Sequence, residues 1–140
     1  MSSKRVAIVC TKADLPLAYP APLLANAARQ AGLGAPLFFM FRGSDVVTTS
    51  ALDCLPVDPA SDLAGAAPGA PLRARMGAID LPTVREMLAI LDESGVEIYA
   101  CELTMRLFGR VRDDLAPQVR DPITLSDFYE ASVGAQLLHV

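Results

Sequence analysis

Positive charge, cysteine and histidine are all scarce in this sequence, and each shortage excludes a class of protein. Its 140 residues hold twelve Lys and Arg against sixteen Asp and Glu, a net charge of −4. We therefore expect no general electrostatic grip on nucleic acid. The three cysteines, none of them in a Cys-x-x-Cys pair, and the single histidine indicate neither a disulfide framework nor a metal site. Reduced thiols in a cytoplasmic protein are the expectation that follows.

Long uninterrupted hydrophobic runs are also missing, although one segment comes close. The apolar stretch Val6–Cys10 is too short for the core of a signal peptide. Residues 15–41 carry only one charge, at Arg29, but two glycines and a proline at residues 32–36 divide them. Each part is too short to span a bilayer. A buried helix followed by a buried strand is therefore favoured, and membrane contact through the apolar face of this segment is the weaker alternative.

Signatures of cofactor-dependent and hydrolytic enzymes are absent as well. The chain contains no Gly-x-Gly-x-x-Gly fingerprint placed after a strand, no P-loop, no Gly-x-Ser-x-Gly and no His-Glu-x-x-His. We expect neither a cofactor nor a bound metal.

Apolar, partly β-branched runs predict four short strands of the kind that parallel sheets bury on both faces. They are Arg5–Cys10, Leu37–Phe41, Val96–Cys101 and Gln136–Val140. Helical spacing and end signals predict helices between them. These are Tyr19–Ala31, a helix from an acidic cap at Asp80 to Gly95, a short one from Cys101 to Gly109, and Phe128–Val133 after a capping box at Thr124 and Asp127. Arg42–Ser44 is predicted as a turn, and Pro56–Gly77 as a long irregular loop.

This alternation predicts an α/β fold. We expect a three-layer α/β/α sandwich around a mostly parallel sheet, with flavodoxin-like topology. Residues 1–140 are too few for a second domain, and 52% hydrophobic residues suffice for one core.

Two cysteines end predicted strands, where open α/β sheets bind ligands. A helix starting directly after Cys101 would stabilise its thiolate, although Glu102 opposes this effect. A buried structural cysteine is the equal alternative. If the strand that ends at Cys10 neighbours the strand that ends at Cys101, the two sulfurs could exchange sulfur or form a disulfide. Structural burial of Cys10 is the other interpretation, and Cys54, beside Asp53, is expected to be exposed and without function.

Other candidate side chains carry weaker signals. Lys12 follows the first strand and Arg42 follows the second, so either could hold an anionic ligand or be merely solvated. His139 is favoured as a side chain of an edge strand over a general base.

Two stretches resemble the DsrE/DsrF/DsrH sulfur-relay family, most closely its DsrE-like subgroup, also labelled peroxiredoxin-like. They are Lys12–Gly43 and Leu81–Gly109, and the most specific element is Ala100-Cys101-Glu102-Leu103-Thr104-Met105 with Gly109. The peroxiredoxin pattern Pro-x-x-x-Thr-x-x-Cys is absent. Arg42, Glu102 and Arg106 depart from the subgroup, since they make the surroundings of the motif more charged.

The resemblance implies a sulfur carrier or sulfurtransferase that holds sulfane sulfur as a persulfide on Cys101 and passes it to a partner thiol. Cys10, Lys12 and Thr104 are the accessory candidates. The resemblance also implies a homo-oligomer, a trimer or larger ring, and partners such as rhodaneses or TusA-like carriers. The alternative is a non-catalytic oligomeric module that binds a small anion or nucleotide near Lys12 and Arg42.

Overall fold

A parallel four-stranded sheet organises the chain. The computed structural model describes residues 4–57 and 71–140. Its strands are β1 (Val6–Cys10), β2 (Leu37–Phe39), β3 (Ile98–Ala100) and β4 (Gln136–His139). Their order across the sheet is β3-β2-β1-β4, and all three pairings are parallel. All four predicted strands are thus present, each one to three residues shorter than the apolar run that predicted it.

Six α-helices surround the sheet in the described part of the chain. They are α1 (Leu15–Ala18), α2 (Pro20–Gln30), α3 (Leu72–Ala78), α4 (Val84–Glu93), α5 (Glu102–Leu107) and α6 (Leu125–Ala131). The helix predicted over Tyr19–Ala31 is confirmed as α2, and the short helix α1 before it was not predicted. Both helices carry a proline in their first turn. Proline is tolerated there because the first N–H groups of a helix have no intrahelical partner.

Two capping boxes fix the start of the more regular helices. Thr83 caps α4, and its hydroxyl accepts a hydrogen bond from the Glu86 amide at 3.1 Å. The predicted cap at Asp80 is wrong, since that residue lies in a turn with a φ of 57°. The predicted box at Thr124 and Asp127 is confirmed at the start of α6.

Part of the predicted irregular loop is helical. Leu72–Ala78 forms α3, because Leu72 and Met76, four residues apart, both pack against the core beneath them. Residues 58–70 of that predicted loop lie outside the described residues, and residues 56, 57 and 71 are irregular as predicted. The predicted turn at Arg42–Ser44 is the start of a 3-10 helix over Phe41–Val47.

Side chains of the sheet alternate between two faces, and helices cover both of them. On the first face, Ile8 and Phe39 belong to a large core shared with α1, α2 and α4. On the second face, Val9 and Phe38 pack with Phe128 of α6. The predicted three-layer α/β/α class is thus confirmed.

The strand order follows from the two directions of crossover. The steps from β1 to β2 and from β2 to β3 run the same way across the sheet, and their helices α2 and α4 lie on one face, as right-handed crossovers require. The return to β4 runs the opposite way and brings α6 to the other face. A flavodoxin-like order would place β1 between β2 and β3. That detail of the prediction is wrong, because β1 lies between β2 and β4.

Candidate functional site

Cys101 lies at the carboxyl end of β3 and is the N-cap residue of α5. Its amide donates to the Phe39 carbonyl at 3.0 Å, and the next amide, that of Glu102, donates to the Ile123 carbonyl at 2.9 Å. These bonds hold the strand-to-helix turn between β2 and the segment that precedes α6. The short helix predicted after Cys101 is confirmed, and Gly109, with a φ of 66°, follows its end.

The thiol of Cys101 is enclosed by apolar and aromatic groups on the second face of the sheet. Cys101 is only 3% exposed. It shares a cluster with Phe38 and Phe128, against which Met40 and Ile123 also pack. Its side chain makes no hydrogen bond with the amides of α5. Almost none of this residue is therefore open to a reagent, and Ile123 and Phe128 of α6 are among the groups that pack with it.

Phe128 and Tyr99 lie on this face, and the sequence did not predict either as a residue of the candidate site. The Phe128 ring stacks on Phe38 at a centroid distance of 4.9 Å and meets the edge of Tyr99 at 6.2 Å. The Tyr99 hydroxyl donates to Glu97 at 2.5 Å. Desolvation by burial, the larger cause, and this carboxylate, the smaller one, raise the pKa of Tyr99 to about 12. The alternation Glu97, Tyr99, Cys101 along one strand is the sequence signal that places all three on one face.

Thr104, an accessory candidate, is buried and joins α5 to the chain after β2. Its hydroxyl accepts a hydrogen bond from the Phe41 amide at 2.9 Å. Phe41 has a φ of 52°, a left-handed conformation that is unusual for a residue other than glycine. Thr104 thereby holds a strained turn at the end of β2, and any direct part in chemistry at Cys101 stays a prediction.

Cys10 and Cys101 are not neighbours. Strand β2 lies between β1 and β3, which separates the two strands by about 10 Å, twice the usual spacing. Cys10 also belongs to the first-face core, whereas Cys101 belongs to the second. The condition for direct sulfur exchange or a disulfide between them is therefore not met.

Cys10 is buried, and its Sγ lies 3.5 Å from the Lys12 carbonyl, to which it donates. Burial raises the pKa of this thiol above its ordinary value of 9.0. Cys54 is exposed, as predicted. Its neighbour Asp53 is paired with Arg85 at 2.7 Å, and this guanidinium lowers the pKa of the Asp53 carboxyl.

We expect iodoacetamide to modify Cys54 well before Cys10 at neutral and mildly alkaline pH. The thiolate is the reacting form, and Cys10 is both buried and less ionised than an ordinary thiol. Because the folded state holds this proton more tightly, the contribution of Cys10 to stability is intact below pH 9.0 and is lost as the pH rises above that value. Peptide mapping over time checks the order, and equal rates for the two thiols in the folded protein would contradict it. The urea-unfolded chain is the control, since all its thiols react alike.

Lys12 and Arg42 line one cavity of about 590 Å³, at the carboxyl end of β1. The structure thus brings together two cations that lie thirty residues apart in the sequence. His139 lies in the edge strand β4, as predicted, with its Nε2 3.3 Å from the Thr11 hydroxyl.

Two negative findings concern residues 4–57 and 71–140. No group of three or more His, Cys, Asp or Glu side chains there is arranged to hold a metal ion. No helix there combines the length and apolar composition that crossing a membrane demands.

The protein is thus a small α/β/α domain with a parallel sheet, and Cys101 lies between a strand and a helix at the carboxyl edge of that sheet. The sequence profile of the DsrE/DsrF/DrsH-like family matches residues 61–137, more than half of the chain. The chain belongs to this family, and the resemblance noted in its sequence is confirmed.

Individual relatives agree with this assignment. The sulfur carrier protein DsrE2 of Allochromatium vinosum is 28% identical over 127 residues, which cover 77% of this chain and 80% of that protein. Among solved structures, the ychN protein of E. coli superimposes with a TM-score of 0.68 at 19% identity, over 98% of this chain and 99% of that one. MTH1491 of Methanobacterium thermoautotrophicum, a protein of unknown function, gives a TM-score of 0.58 at 14% identity, over 99% and 100%. These two structures share the fold.

Proposed function

We propose that this protein is a sulfur carrier that holds sulfane sulfur as a persulfide on Cys101 and passes it to a partner thiol. The observation that carries the proposal is the position of Cys101 at the carboxyl end of β3, directly before α5, in a chain related to a protein named as a sulfur carrier. Ligands of open α/β sheets bind at this edge. Cys10 faces the other core and Cys54 lies in an exposed turn, so neither offers an equivalent position.

Loading and unloading are two thiol exchanges. The Cys101 thiolate attacks the outer sulfur of a donor persulfide, the donor S–S bond breaks as the Cys101 S–S bond forms, and the donor leaves as a thiolate that takes up a proton. Unloading repeats this attack from an acceptor thiolate on the outer sulfur held by Cys101. No net oxidation occurs, because the sulfane sulfur keeps its oxidation state. A rhodanese-type donor and a TusA-type acceptor both fit this chemistry, and free thiols throughout the chain fit a reducing, cytoplasmic setting.

The apolar enclosure serves a carrier in a definite way. A persulfide held among Phe38, Phe128 and Ile123 is shielded from water and from bulk reductants while it waits for a partner. Transfer then requires the enclosure to open, so a partner that displaces the segment around Ile123 would gain selective access. Carrier action, with slow spontaneous loss and fast directed transfer, is what this arrangement favours.

Intact-protein mass spectrometry after brief treatment with polysulfide tests the proposal. We expect an added sulfur, removed by dithiothreitol once the protein is unfolded in urea, on the wild type and on the Cys10→Ser and Cys54→Ser variants. The Cys101→Ser variant should lack it. Equal labelling of all four proteins, or labelling lost only with another cysteine, would contradict the assignment of Cys101.

We further propose that the surface beside Cys101 mediates self-association, with a trimer as the expected assembly. Leu103, Leu107 and Val111, on α5 and just after it, are about three-fifths exposed at 61%, 58% and 62%. Phe41, hydrogen-bonded to α5 through Thr104, is 45% exposed. So many large apolar side chains on one short helix and its surroundings are typical of a surface that another protein covers.

Replacement of Leu103 and Leu107 by Ser together is expected to convert the assembly to monomers. Light scattering coupled to size-exclusion chromatography gives the mass directly. The control is Leu17→Ser, which removes a side chain of comparable exposure, 46%, from α1. A monomeric wild type, or an unchanged mass in the double variant, would contradict the proposed interface.

A further inference from the structure

We infer that the cavity between Lys12 and Arg42 is a binding site for a small organic anion, with a phosphate or sulfonate head on a compact apolar body. It is separate from the proposed persulfide site, because it opens beside Cys10 on the β1 side of the sheet. Its volume of about 590 Å³ is within the range of small-molecule sites in proteins.

The cavity lies at the carboxyl edge of the sheet, where open α/β folds bind ligands. The crossover from β1 to β2 runs over one face of the sheet, and the crossover from β3 to β4 runs over the other face. Strand order therefore reverses at β1, and open α/β sheets bind ligands beyond the carboxyl ends of their strands, where this cavity lies after β1 and β2. Thr11, the first residue after β1, lines the cavity, and its amide donates to the Val140 carbonyl just beyond β4 at 3.0 Å.

The frame of the cavity is held in place by backbone contacts. A Cβ at Gly43 would lie 2.2 Å from the Cys10 carbonyl oxygen, so only glycine lets the chain after β2 cross the end of β1 this closely. This crossing brings Arg42 beside Lys12. On the opposite wall, the Leu15 amide donates to the Pro56 carbonyl at 2.8 Å. A site whose walls are already fixed loses little conformational entropy on binding.

Charge selects an anion. Lys12 and Arg42 are both exposed, and neither forms an ion pair with a carboxylate of residues 4–57 or 71–140. Two carboxylates also line the cavity. Asp45 is engaged by Arg110, whose Nη2 lies 2.5 Å from its Oδ1, and Asp14 has an interaction partner of its own. Lys12 and Arg42 are therefore the two cations of the lining that are left to meet a ligand.

The remaining walls select the body of the ligand. Ala13, Pro56 and Val57 supply apolar surface opposite the cations. A bare inorganic ion would leave most of this volume and surface unused. An anionic head with a compact apolar body uses both, since small-molecule sites combine apolar walls with a few placed polar groups.

Titration of the protein labelled with ¹⁵N, followed by two-dimensional NMR, tests the inference. The probes are phenyl phosphate, benzenesulfonate and benzyl alcohol, which share an aromatic body and differ in charge. We expect the two anions to shift the amides of Thr11–Ala13 and Arg42–Ser44, and benzyl alcohol to leave them unmoved. Tighter binding of phenyl phosphate identifies a phosphate site, and tighter binding of benzenesulfonate identifies a sulfonate site.

Matched variants decide whether the two cations make the site. Lys12→Gln and Arg42→Gln are each expected to weaken binding of the preferred anion by about tenfold or more, the usual range for a charge-assisted contact. Lys4→Gln and Arg106→Gln, which remove the same charges elsewhere, should bind as the wild type does, and so should Cys101→Ser. Shifts that centre on other residues, equal weakening in the control variants, or equal binding of benzyl alcohol would overturn the inference. Because Cys101→Ser keeps this site, failure here is distinct from failure of the sulfur-carrier proposal.

Discussion

Replacing Gly43 by Ala is expected to lower the free energy of unfolding by about 3 kcal/mol, at the upper end of what overpacking costs. The added Cβ would lie 2.2 Å from the Cys10 carbonyl oxygen and 2.8 Å from its carbon. Both are backbone atoms of the buried strand β1, which cannot yield as the end of a flexible side chain does. The 3-10 helix that begins at Phe41 would have to lift away from the sheet.

Thermal and urea unfolding followed by circular dichroism measure this effect. For a chain of this length a loss of that size lowers the melting temperature by on the order of 10 °C. Gly77→Ala is the matched control, because a Cβ there meets nothing within 4 Å. It lies within α3, where alanine is favoured over glycine by up to about 1 kcal/mol. Equal melting temperatures for the two variants would show that the crossing of β1 is not as tight as described.

Replacing Phe128 by Ala is expected to cost about 3 to 5 kcal/mol, the range for a buried phenylalanine. Phe128 is fully buried and supplies the ring that covers Phe38 and Tyr99 on the second face. The loss has a second consequence, because Cys101 belongs to the same cluster. With the ring removed, α6 holds the sheet less tightly, and the thiol of Cys101 becomes accessible.

Alkylation of Cys101 by iodoacetamide is therefore expected to accelerate roughly tenfold or more in Phe128→Ala, since local opening becomes easier. Phe108→Ala is the control, because that ring is already 40% exposed and lies after α5. Alkylation of Cys54 in the same samples corrects for differences in reagent. Faster alkylation of Cys101 in Phe108→Ala than in Phe128→Ala would contradict the conclusion that Phe128 covers the Cys101 thiol.

The elements that could be predicted from the sequence are those set by neighbouring residues. Apolar runs such as Val6–Cys10 specify buried strands locally, and the capping box at Thr124 specifies the start of α6 through residues three positions apart. Strand order is different, because the apolar runs of β2 and β3 give no sign of which strand each will pair with. The sequence for this reason left open whether Cys10 and Cys101 end neighbouring strands, and the observed order places β2 between them.

The candidate site was predictable only in part. Cys101 stood out because an apolar run ends there and a helix begins. The cover of its thiol did not, since Phe128 lies twenty-seven residues further on and reaches the site through packing alone. The sequence predicted Gly43 only as a turn residue, although its essential contact is with Cys10 at the end of β1. Long-range contacts of this kind leave no local pattern in a single sequence.

Cyanolysis measures whether Cys101 carries a transferable sulfur atom. Protein treated with polysulfide and then desalted is mixed with cyanide, which removes sulfane sulfur as thiocyanate that can be measured by its iron complex. We expect close to one thiocyanate per chain for the wild type, Cys10→Ser and Cys54→Ser, and almost none for Cys101→Ser. Thiocyanate from Cys101→Ser at the wild-type level, or none from the wild type, would contradict this expectation.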